Sequence, residues 1–532
     1  SFHQAIGLWN VSSVTDASGM FEGSKAFQQN IAGLNWAALK NASAMFKNSS
    51  FKGFINPWFR SPKVLEDTSN MFEGVSFTGN PINTLAWNMS TIKSTKEMFK
   101  NSDFTGGGYL NGWFISANSL ENASGMFEGC TKFNRYINSW KISGVTDLSN
   151  MFKDTVLFNQ GIGLWDVSSV TDASGMFEGS KAFQQNIAGL NWAALKNASA
   201  MFKNSSFKGF INPWFRSPKV LEDTSNMFEG VSFTGNPINT LDWNFSTVKS
   251  TKEMFKNSDF TGGGYVNNWF AGSNVLENAS GMFEGCTKFN RYISSWKISG
   301  VTDLSNMFKD TVLFNQGIGG WNVSSVTDAS GMFEGSKAFQ QNIAGLNWAA
   351  LKNASAMFKN SSFKGLINPW FRSPKVLEDT SNMFEGVSFT GNPINTLDWN
   401  FSTVKSTKEM FKNSDFTGGG YVNNWFKNTN VLENASGMFE GTTKFNQWIP
   451  DWDVTKVKFA SKMFKDSVFN QPIGSWALDS AENLDEMFSG NSVFNKWIGT
   501  WHEHISKVKT KANFAGSHGS FSTPNFNKYP QN

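Results

Sequence analysis

A Met-Phe pair recurs along this chain at intervals that themselves repeat, and no other feature limits the fold so tightly. From Met20 and Phe21 the pairs restart at 45, 71, 98, 126, 151 and 176, in steps of 25, 26, 27, 28, 25 and 25 residues. The steps sum to 156, and the sequence from Gly7 returns almost unchanged from Gly163 and again from Gly319. Periods of about 20–50 residues mark coils that bury an apolar face only by stacking on their neighbours. The expectation is a solenoid of about twenty coils. It divides into a first unit over 1–162 (six coils), a second over 163–318 and a third over 319–442. Divergent coils follow over 443–514 and a tail over 515–532.

Within one coil the spacing predicts an α/β architecture. The stretch from Phe2 to Val11 is extended in character and suits one short parallel strand. Val14, Ala17, Ser18 and Phe21 fall at i, i+3, i+4 and i+7, one face of a short helix. Ser13 with Asp16 three residues on, and Ser61 followed by Pro62, are N-terminal capping patterns. Two residues after each Phe stand Gly23, Asn48, Gly74, Asn101, Gly129 and Asp154, types suited to a left-handed helix end. The anticipated core includes Trp9, Met20, Phe21, Phe27 and Trp36, with the other periodic Trp, such as Trp58, also mostly inside. Strands at ~4.8 Å per coil on one side and helices at ~8–10 Å on the other would curve the stack.

The residue after each pair alternates in charge: Glu22, Lys47, Glu73, Lys100, Glu128, Lys153 and onward. Stacked coils make this a structural ladder. Each exposed pair contributes about 0.2–1 kcal/mol, and a one-coil slip would bring like charges together. Between units the loop Ile115, Ser116, Ala117 becomes Ala271, Gly272, Ser273 and then Lys427, Asn428, Thr429, the variability of an exposed loop.

Chemistry is sparse. The four His are His3, His502, His504 and His518, and no metal set, nucleophile–base pair or phosphate loop stands out. The expectation is a chain that is not an enzyme and uses no cofactor and no metal. A net charge of +4 gives no argument for nucleic acid, and no apolar run reaches the ~18 residues of a membrane span. Cys130 and Cys286 are read as small, semi-buried side chains. The Asn-x-Ser triplets, as at Asn10, Asn41 and Asn88, are read first as side chains bonding nearby backbone, and only second as glycan acceptors. Ser1-Phe2 enters directly at the start of a coil, so further coils or another chain are expected to cover that end.

The string from Phe158 through Trp165, Asp166 and Val167 to Met176 and Phe177 resembles the BspA-like surface repeat, a leucine-rich-repeat relative found in mycoplasma lipoproteins. The resemblance implies a leucine-rich-repeat-like solenoid and a cell-surface or extracellular location. It also implies a role in adhesion or surface structure, with no catalytic residues to carry over. The family usually has Met three residues before the pair, where this chain has Ala17, Ala42, Thr68, Thr95, Ala123 and Leu148. The expected function is a non-enzymatic structural or adhesive repeat protein of a fibrous assembly, a homo-oligomer or fibre built through lateral or end-on contacts. The alternative is a monomeric binding module taking a glycan or surface protein on a concave face. Assembly predicts exposed patches recurring every 156 residues, whereas a ligand module predicts a distinctive site in one unit.

Overall fold

The computed structural model describes residues 5–51, 62–78, 87–108, 110–116, 119–207, 218–234, 243, 245–264, 266–272, 275–363, 374–390, 399–419, 422–505 and 507–515. Trp58, Ser61, Ala117, Ser273, His3 and His518 lie outside them. The chain divides into two compact units, Ser1–Tyr265 and Val266–Asn532.

In the first unit, each coil is bridged to the next by one parallel residue pair. The series runs Asp16, Asn41, Asp67, Ser94, Asn122, Asp147, Asp172, Asn197, Asp223, Ser250. The second unit has its own series, from Asn278 through Asp303, Asp328 and Asn353 to Asn483 and Thr510. Among the described residues no bridge extends into a longer strand. The helical segments there are four 3₁₀ turns, Leu110–Gly112, Val266–Asn268, Val422–Asn424 and Gly499–Glu503. This corrects the α/β expectation. The coils are stacked, but neither the strand nor the helix of a leucine-rich-repeat-like coil forms.

The hydrogen bonds give the reason. In the second coil the N–H groups of Ala42, Ala44, Phe46 and Asn48 donate forward to the carbonyls of Asp67, Ser69, Met71 and Glu73, at 2.7 to 3.0 Å. The intervening N–H groups of Met45, Lys47 and Ser49 turn inward to Ala42, Ala44 and Phe46, three residues back. A parallel strand would send those donors to the preceding coil, and an α-helix would send every donor four residues back. The Asn41 side chain starts the departure by accepting the Ser43 N–H at 2.9 Å. The result is three overlapping β-turns. Residues with left-handed φ stand at the third position of the first and last, where a type II turn requires them: Ala44 at 53° and Asn48 at 54°. The positions read as helix ends are therefore left-handed, as expected, but they close turns. The front half also consists of turns, with Leu34 N–H to Ile31 and Leu39 N–H to Trp36.

Aromatic columns form the core. Phe21 stacks on Phe27 with centroids 4.0 Å apart and on Phe46 at 5.6 Å; Phe46 continues to Phe72. A Trp column runs Trp113, Trp140, Trp165 in the first unit and Trp452, Trp476, Trp501 in the second, at 6.1–6.3 Å. Each fully buried ring of this kind contributes about 1.5–3 kcal/mol. Phe21, Phe27 and Trp36 are buried, but Met20 is partly exposed and Trp9 is 48% exposed, against 4% for its equivalent Trp165. Trp165 has the Trp140 ring against it and donates its Nε1 proton to Ile137, both in the preceding coil.

Candidate binding surface

The charge ladder runs along the turn column, partly shielded. Lys47 lies 2.8 Å from Glu73, Lys100 3.2 Å from Glu128, and Lys153 3.0 Å from Glu178. In the second unit Lys309–Glu334 and Lys359–Glu385 repeat the contact at 3.0 and 2.8 Å. Each Lys thus turns to the Glu of the following coil. The hydrogen bond to Glu73 holds the Lys47 ammonium above its ordinary value. Burial works to raise the Glu97 carboxyl, but hydrogen bonds from Lys100 and Asn70 overcome it and hold it low. A second, more exposed row pairs the opposite way, Lys93 with Glu66 at 2.9 Å and Lys249 with Glu222 at 2.8 Å. Within each row the charges pair with one another.

Elsewhere the polar groups serve the fold. Ile115 and Ser116 are exposed, and their third-unit counterpart Lys427 reaches Asp451 at 3.0 Å. Cys130 is buried with its Sγ 2.9 Å from the Phe99 carbonyl, and burial pushes its thiol up to about 12. It shares a column with Thr155 and Ser180, whose hydroxyls donate to Phe127 and Phe152. The His504 Nδ1 lies 2.8 Å from Asp479. The Asn41 side chain accepts from Ser43 and donates to Asp16, and the Asn10 side chain accepts from Ser12. Among the described residues no group of three His, Cys, Asp or Glu is placed to hold a metal.

Large apolar side chains also point outward, and several recur. Tyr136, Tyr292 and Trp448, spaced 156 residues apart, are 73%, 72% and 55% exposed. Each precedes a core Ile: Ile137, Ile293 and Ile449 are fully buried. Leu157 and Leu313, and Val64, Val220 and Val376, are further exposed sets with the same spacing.

One stretch adds to this column. Asn446 accepts the N–H of Asn470 at 2.8 Å, and Asn470 that of Asn495 at 3.0 Å, fixing three successive coils in register. Two residues on from these Asn stand Trp448, Pro472 and Trp497, the last 64% exposed. The spacing within one coil does not reveal this column. The signal was an aromatic directly before the core Ile, visible only after coils of unequal length are aligned.

A family model described as "Mycoplasma protein of unknown function, DUF285" matches residues 1–84, 110–214, 205–269, 263–370, 378–501 and 420–525. The tandem matches identify a repeat protein of this kind, rather than a BspA-like repeat specifically. No curated protein matches the chain.

Proposed function

We propose that this chain, which belongs to the Mycoplasma protein family of unknown function DUF285, is a non-enzymatic structural and adhesive repeat protein of a cell-surface or extracellular assembly. The observation that carries this reading is the recurrence of Tyr136, Tyr292 and Trp448 as exposed aromatics every 156 residues. A single exposed apolar side chain is ordinary on any protein. The same side chain at the same phase of successive units offers a partner of equal period several weak contacts, and linked weak contacts multiply in avidity. A second copy of the chain has that period. The likeness to BspA-like repeats supports the surface location in the same spirit.

Light scattering and electron microscopy on one preparation test the assembly. Multi-chain bundles that dissociate in a Tyr136→Ser, Tyr292→Ser, Trp448→Ser variant are expected. Dispersed single chains at high concentration would reject it. A second reading, a glycan-binding module, is favoured by one observation, that Trp497 follows Trp448 in the last coils only.

A further inference from the structure

Trp448, Pro472 and Trp497 occupy one surface column in consecutive coils. The register is held on the outside by the Asn446, Asn470, Asn495 ladder. On the inside Trp476 and Trp501 donate their Nε1 protons to Ile449 and Ile473. At ~4.8 Å per bridged coil, the backbone positions of the two Trp stand two coils, roughly 10 Å, apart. That is about the length of a disaccharide, with the Pro ring filling the gap. At the corresponding places in the two coils that follow, Tyr136 is succeeded by Gly161 and Asn186, and Tyr292 by Gly317 and Asn342.

The Trp497 indole is also positioned. A Cβ on Gly499 would fall 2.6 Å from its Nε1 and 2.7–2.8 Å from Cε2 and Cζ2. The ring therefore lies on the glycine backbone, leaving the rest of its surface to solvent. The side chains beside the column suit an uncharged polyol. Gln447 and Gln471 flank Trp448 and Pro472, their amide nitrogens donating to Thr417 and Asn446, and Lys496 is the one charged side chain at the equivalent positions. Neutral amides complement hydroxyls, and aromatic faces, carrying negative quadrupole, attract the C–H face of a pyranose.

We infer that Trp448, Pro472 and Trp497 form a binding strip for a neutral, linear oligosaccharide of at least two pyranose residues. The inference deepens the second reading of function and does not depend on the assembly reading. Titration calorimetry and tryptophan fluorescence with cello- and chito-oligosaccharides, from monosaccharide to hexasaccharide, test it on the full chain. Affinity should rise steeply from mono- to trisaccharide and stay constant as salt is raised. Trp448→Ala and Trp497→Ala should each weaken it roughly tenfold, about the worth of one stacked ring. Gly499→Ala, which displaces the indole, should weaken it to a smaller degree. Unchanged thermal melts show that the variants fold. No binding across the series, equal affinity for all lengths, or affinity confined to acidic glycans and lost in salt would each overturn the inference. Light scattering on the same variants reports assembly separately, so either reading can fail alone.

Discussion

Single residues decide this fold through left-handed backbone and what lies beside it. At Gly74, φ is 66°, and an added Cβ would meet the Asn48 Oδ1 of the preceding coil at 2.3 Å. Gly230 and Gly386 stand in the same relation to Asn204 and Asn360. The Gly–Asn alternation visible in the sequence thus has a cause: an Asn side chain in one coil occupies the space over the Gly of the next. Gly74→Ala should lose about 1–3 kcal/mol, combining left-handed strain with that clash. Asn48→Gly in the same chain should return part of it by removing the clash and leaving the strain. Denaturant midpoints of the two single variants and the double variant, read as a double-mutant cycle, check this. Additive losses would show that the two residues do not meet.

At the scale of the element, the sequence made the coil period and the left-handed positions legible but misidentified the hydrogen-bonding pattern. Ser, Asp, Asn and Gly mark helix ends and chains of turns alike, and Val14, Ala17 and Phe21 point inward in either. What separated the alternatives was where every second N–H goes, a contact between coils about 25 residues apart that local spacing does not encode. The charged rows on the turns make the element sensitive to pH. Burial raises the carboxyls of Glu97, Glu253, Glu409 and Asp415, yet their hydrogen bonds leave all four lowered, Asp415 to about 2. A lowered carboxyl stabilises the fold fully above its unfolded value, here 4.5 for Glu and 3.8 for Asp, and that contribution disappears as pH falls through the folded value. The raised lysines, such as Lys47, contribute fully below 10.5 and lose that contribution only as pH rises through the raised value. The melting temperature should therefore be flat through neutrality and fall below about pH 4.5, less steeply in Glu97→Gln. Thermal melts across pH check this; an unchanged melting temperature at pH 3 would contradict it.

For the whole molecule, interchangeable coils imply that length is adjustable in whole repeats. Deleting 163–318 joins Ile162 to Gly319 in the phase that Gly163 held. Such a chain should keep its circular dichroism per residue and melt within a few degrees of the parent, because each coil contacts only its neighbours. A deletion ending at a different phase of the coil should fail to fold cooperatively. The surface column was hidden at this scale too, since Tyr136 and Trp448 look like stray aromatics until whole units are superposed.

The one-way hydrogen bonding described for the coils has an electrical side. In an ordinary parallel sheet successive peptide dipoles point in opposite directions and largely cancel. Here four N–H groups of the second coil, those of Ala42, Ala44, Phe46 and Asn48, point to the next coil, while three point back, those of Lys40 and Asn41 to Thr15 and that of Ser50, longer at 3.3 Å, to Ser24. The imbalance recurs from coil to coil, so the uncancelled peptide dipoles add. Each unit is then polarised along its own stacking direction, positive toward later coils, a permanent field that owes nothing to its ionised side chains.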